Sequence, residues 1–238
     1  MTKHLLIAVA SCLVALAAHG TAQEPDVIVF EGQTYKLHSN PLEPYFAAHP
    51  DRRHPSEPPE EGPYTSSTGL WRGYVATFGF EDGVLELRDL ETINPRGRED
   101  DEPRMISSID QYFPDAQSRM CDWFSGLLVL PHGELRSYVH LGYGSMYEFQ
   151  TLLRIKNGEV VDRANLTYDE YLDYKRRLFA LFMETQEYQR VFEFYRQVDE
   201  EAIEESEVDV DEINQFIFDG GGWERFVDLE FPQTSQAK

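Results

Sequence analysis

Cysteine is nearly absent: Cys12 and Cys121 are the only two in 238 residues. Cys12 lies in a stretch expected to be removed, so Cys121 would stand alone and no internal disulfide can staple the fold, even in an oxidising compartment. Positive charge is scarce too, with 21 Lys and Arg against 43 Asp and Glu and a formal net charge of −22. A chain so charged repels phosphate backbones and anionic head groups, which argues against nucleic acid as a partner and favours a basic protein. Beyond the N-terminus no apolar run reaches 18 residues, so no transmembrane segment is expected. Cofactor fingerprints are missing as well. Gly220-Gly221-Gly222-Trp223 has neither a buried strand before it nor a Lys-Ser or Lys-Thr after it, as a phosphate loop requires.

What is present begins at Lys3 and His4, which precede an apolar run from Leu5 to Ala18 and small residues at Gly20, Thr21 and Ala22. This is the pattern of a secretory signal peptide over residues 1–22, cleaved before Gln23. As a helix the run would rise only ~21 Å, short of the ~30 Å hydrocarbon core. Val9-Ala10-Ser11-Cys12 also resembles a lipoprotein box, which would place a lipid anchor at Cys12. The apolar run continues past Cys12 to Leu16, which suits an ordinary signal better. The expected product is an exported protein, periplasmic or secreted.

Residues 23–166 carry four β-signals of one form, two short apolar or alternating runs around a glycine turn. Val27–Phe30 meets Thr34–Leu37 across Glu31-Gly32-Gln33. Leu70–Phe80 meets Val84–Leu90 across Asp82-Gly83, a dipeptide suited to the positive φ angles of a type I′ turn. Trp123–Leu130 meets Glu134–His140 across Pro131-His132-Gly133, and Tyr147–Ile155 meets Glu159–Arg163 across Asn157-Gly158. The expected fold is α+β, an antiparallel meander of about eight strands in four hairpins packed with C-terminal helices. Residues 40–68 hold seven prolines and read as a long loop or extended wrap. Asn94–Arg104, rich in both charges, reads as a solvated excursion, and Met105–Phe113 as a short helix closed by Pro114.

Residues 167–238 form the expected helical region, packed on the sheet within a single domain. Thr167-Tyr168-Asp169-Glu170 matches a capping box. Tyr171, Tyr174, Leu178, Leu181 and Phe182 then recur at helical spacing, and Tyr188, Val191, Phe192 and Tyr195 continue the stripe after a weak stretch at Glu184-Thr185-Gln186, where a break is expected. Nine acids and no base occupy residues 199–212. Asp209-Val210-Asp211 does not open a calcium loop, because Ile213 and Asn214 stand where an oxygen ligand and a glycine are required.

Candidate chemistry is sparse. Ser145 lies in Gly142-Tyr143-Gly144-Ser145-Met146 without the Gly-x-Ser-x-Gly elbow, and a site beside the third hairpin can be drawn from His132 or His140 with Asp122. His49, Asp51, His54 and Glu57 offer nitrogen and oxygen ligands, but in a proline-rich loop with two arginines between the histidines. No metal and no cofactor is therefore expected. Trp71 and Trp123, each followed closely by a glycine, are the candidate ligand-facing aromatics. Two functions follow: an exported acidic protein of a bacterial envelope that binds without catalysis, or a small periplasmic or secreted hydrolase working beside the third hairpin.

Overall fold

Three of the four glycine turns close hairpins for one reason: each puts two consecutive residues at positive φ. The pairs are Glu31 and Gly32 at 50° and 76°, Asp82 and Gly83 at 49° and 84°, and Asn157 and Gly158 at 51° and 80°. Two left-handed residues in succession match the twist of the flanking strands. The computed structural model describes residues 22–59, 62–99, 102–202, 210–220 and 231–232. The segment up to Thr21 expected to be a signal peptide, Cys12 included, lies outside them, as do the acidic residues 203–209, Gly221, Gly222, Trp223, Phe226 and Leu229.

Eight strands form one mostly antiparallel sheet: β1 (Asp26–Phe30), β2 (Gln33–Leu37), β3 (Tyr74–Glu81), β4 (Val84–Glu99), β5 (Glu102–Ser107), β6 (Gly126–Ser137), β7 (Met146–Lys156) and β8 (Glu159–Thr167). Their order is β2-β1-β3-β4-β8-β7-β6, with β5 paired to β4. Helices α1 (Leu42–Ala48), α2 (Ile109–Tyr112) and α3 (Ala116–Arg119) interrupt the strands, and α4 (Tyr168–Phe182), α5 (Gln186–Ala202) and α6 (Val210–Gly220) follow them. Among the described residues no helix is long and apolar enough to cross a membrane.

The class is α+β, but the meander needs three corrections. First, β1 pairs with β3 in parallel, Val27 opposite Thr77 and Ile28 opposite Phe78. Parallel neighbours need a long return path, which the proline-rich stretch supplies. Second, Pro131-His132-Gly133 makes no turn. The strand β6 runs straight through it, with Gly133 alone at positive φ. Third, the charged stretch at Asn94 is strand, Arg98 pairing with Pro103 and Glu99 with Glu102. The short helix is correspondingly smaller than expected, since Met105 belongs to β5 and only Ile109–Tyr112 is helical.

By contact the chain divides into two units. In Gln23–Pro131 with Thr151–Arg163, one core gathers Ile28, Leu37, Phe78, Leu85, Leu128 and Leu153, with Tyr45 and Phe46 of α1 lying in it. At one point strands from the two ends of the order meet: the His38 amide, just after β2, donates to the Val129 carbonyl of β6 at 2.9 Å.

The other unit comprises His132–Gln150 with Ala164–Lys238, and Ala22 bridges to Gly142. Its α4 opens on the capping box, where the Glu170 carboxylate accepts from the Thr167 amide at 2.9 Å. The expected break falls between α4 and α5. There Thr185 donates its hydroxyl to the Phe182 carbonyl at 2.7 Å and accepts from the Tyr188 amide at 3.1 Å, closing one helix and starting the next. Rings hold the helices together, Phe179 on Phe218 at 5.3 Å and Tyr195 on Phe216 at 5.1 Å.

Candidate functional site

Of the residues expected to do chemistry beside what is now β6, His132, His140 and Ser145 are each engaged locally. His132 stacks on Phe149 with ring centroids 5.6 Å apart, and His140 Nδ1 lies 2.7 Å from the Tyr138 hydroxyl. Ser145 Oγ accepts from the Val139 amide at 3.0 Å and donates to the Val139 carbonyl at 3.1 Å. This pair of hydrogen bonds to one residue closes a turn, and the serine is not brought to His140. Asp122 belongs to the unit that contains neither histidine.

The two tryptophans also sit in local packing. Trp123 packs against the core, 5.0 Å from the Tyr45 ring and 6.0 Å from Phe124. Its indole Nε1 is buried with no hydrogen-bond partner. Trp71 follows a 3-10 turn at Thr68–Leu70 and is half-buried. The nearby glycines serve other neighbours: the Phe124 ring lies over Gly126, and the Pro55 carbonyl over Gly73. Cys121 is buried, and that burial pushes its thiol up to about 12, which keeps it protonated.

Of the four loop residues offered as metal ligands, His49 and His54 part company. His49 Nδ1 faces the Tyr45 carbonyl at 2.8 Å, and among the described residues no group of three His, Cys, Asp or Glu can hold a metal ion. His54 enters a polar chain instead. Its Nδ1 meets both the Ser56 hydroxyl, at 2.7 Å, and the Ser56 amide, at 3.2 Å. An amide can only donate, so Nδ1 is the acceptor and the ring proton sits on Nε2, which faces Glu43 Oε1 at 3.3 Å. The Tyr74 hydroxyl donates to that same oxygen at 2.8 Å. With Nδ1 already receiving two donors from one turn, this arrangement locks the loop onto the sheet.

Beneath it lies a buried ion pair. Arg72 Nη1 donates to Asp26 Oδ1 at 2.9 Å, and Nη2 donates to the Glu24 carbonyl at 2.8 Å. Arg72 also lies over the Tyr74 ring at 4.8 Å. Asp26 Oδ1 accepts from the Ala76 amide as well, while Oδ2 is buried with no partner. Burial raises the Asp26 pKa, against the pull of Arg72. No sequence signal pointed to Asp26 or Arg72, which are 46 residues apart.

An open groove of about 620 Å³ lies where the three glycine hairpins end. Phe30 and Phe80 contribute to its lining, with ring centroids 5.8 Å apart, together with Val29, Val160, Glu31 and Glu159. Arg88 lines the groove, and Arg163 touches two of its lining residues. Arg163 lies over the Phe30 ring at 5.2 Å and pairs with Glu31, while Arg88 donates to the Phe80 carbonyl at 3.0 Å and approaches Glu86 at 3.4 Å. Glu81, Asp82 and Glu159 make no ion pair among the described residues. The groove therefore offers an aromatic surface beside the unpaired Glu159 carboxylate. The chain matches no known protein family, no curated protein and no solved structure.

Proposed function

We propose that this chain is an exported, acidic, non-catalytic binding protein of the bacterial envelope, and that the groove at the hairpin ends receives a basic segment of a partner protein. Export is supported by the basic, apolar and small-residue order of residues 1–22. The observation that carries the binding reading is the groove itself, where Phe30 and Phe80 stand beside Glu31 and Glu159 in a chain of net charge −22. An arginine or lysine entering it gains an aromatic face and a carboxylate together, the combination already satisfied by Arg163 between Phe30 and Glu31. The surrounding charge steers such a partner from a distance, and salt screens that steering.

The test is a pull-down from envelope extract at low and high salt, run with the unaltered chain and with Glu31→Lys/Glu159→Lys. A basic protein retained at low salt, released by high salt and lost with the double variant is the expected result. Equal retention by the variant removes the groove from the account.

A further inference from the structure

Among the described residues, the outer half of β6 is an open sheet edge. In the strand order β6 stands last, with β7 as its neighbour, and Gly133, Glu134, Leu135 and Arg136 are exposed. Large apolar side chains are uncovered here: Leu135 on the strand at 49% exposure, Tyr138 just past its end at 64%, and Phe149 on β7 at 38%. Exposed edges with such side chains are templates for further pairing unless they are blocked. Charges usually block them, yet here the charges favour one specific arrangement.

The segment His132-Gly133-Glu134-Leu135-Arg136-Ser137-Tyr138 is complementary to itself when run in the opposite direction. Antiparallel pairing centred on Leu135 sets Leu135 against Leu135, Glu134 against Arg136, Gly133 against Ser137 and His132 against Tyr138. Each Glu134 meets an arginine and each Arg136 a glutamate, so the pairing gains two cross-strand ion pairs. Backbone direction agrees. The Glu134 amide points toward β7, where it lies 3.5 Å from Glu148 Oε2, and successive amides of a strand point to opposite sides, which turns the Leu135 amide and carbonyl toward the open edge. Arg136, 3.2 Å from Glu148 Oε1, is held on the strand and remains half exposed.

We propose that this chain forms a two-fold dimer in which β6 pairs antiparallel with β6 of a second copy, centred on Leu135. The dimer is weak, because two bodies of charge −22 repel each other while the paired segment is short. That gives it a salt response opposite to that of a basic partner: raising salt from about 10 mM to about 150 mM shortens the reach of the repulsion more than it weakens ion pairs in contact, so association tightens.

Sedimentation equilibrium of the full chain tests this. The expected result is a mass that rises with concentration toward twice the monomer. Glu134→Arg sets arginine against arginine and Arg136→Glu sets glutamate against glutamate, so each variant alone dissociates, weakening association by about tenfold or more. An equimolar mixture of the two variants recovers the dimer, as does E134R/R136E, because both restore opposite charges across the pair. Recovery in the mixture also shows that each variant is folded. A monomer at every concentration and salt, a dimer indifferent to Glu134→Arg, or a mixture that stays monomeric overturns the proposal.

Discussion

Arg72 and Asp26 form an ion pair at 2.9 Å with 1% and 0% of their side chains exposed, joining the start of β1 to the approach to β3. The pair sits where the parallel β1–β3 contact forms, since Asp26 Oδ1 also accepts from the Ala76 amide on β3. Removing either partner leaves the other charge buried. Asp26→Leu or Arg72→Met alone is expected to cost about 3–5 kcal/mol, whereas the double variant costs well under the sum. Denaturant unfolding of the four proteins measures this, and simple additivity would deny the coupling.

The Asp26 pKa is raised, which fixes a sign for pH. Its folded state binds a proton more tightly than its unfolded state, so ionisation of Asp26 costs stability as pH climbs from the ordinary carboxylate value of 3.8 through the raised one. Asp26→Asn removes that titration, and its stability curve over this range should lack the decline seen in the unaltered chain.

Gly73 has φ of +77°, and a methyl added to it would lie 2.6 Å from the Pro55 carbonyl oxygen. The glycine lets the proline-rich loop seat against the strand approach, next to the His54–Ser56 lock. Gly73→Ala combines left-handed backbone with a backbone clash and is expected to cost at least about 2 kcal/mol by thermal unfolding. A change of a few tenths would mean the loop is free to move away.

Glu170 is held below its ordinary value of 4.5 by the Thr167 amide and hydroxyl. A carboxylate with a lowered folded pKa stabilises above its unfolded value, and that stabilisation is lost as pH falls through the folded one. Thr167→Ala is expected to cost about 1 kcal/mol at neutral pH. The stability gap between the unaltered chain and Glu170→Gln should narrow on acidification below 4.5. A gap constant with pH would show that the carboxylate contributes no charge-dependent bond.

Much of the hairpin pattern was legible because Glu-Gly, Asp-Gly and Asn-Gly each announce two residues at positive φ. Pro131-His132-Gly133 imitates that signal with one glycine, but Gly133 serves a different need: a methyl there would lie 2.9 Å from Glu148 Cβ and 3.1 Å from the Phe149 ring. Close approach from β7, which local sequence cannot reveal, explains this glycine. The β4–β5 hairpin hid because mixed charge replaces apolar alternation at Arg98 and Glu99. The helical half was clear in its cap and its stripe, both local signals. The buried pair and the groove were not, since Asp26 reads as one acid among 43 and Phe30, Phe80 and Val160 come from three separate hairpins.

Whether the hairpin-end groove holds a basic segment is read out by an amide-resolved NMR titration of the full chain with a short peptide of alternating arginine and leucine. Shifts are expected to concentrate at residues 29–32, 80, 83, 88 and 159–160, to fade as salt rises and to be absent in Glu31→Lys/Glu159→Lys. Shifts spread over the acidic helices α5 and α6, with the groove residues unmoved, would overturn this reading.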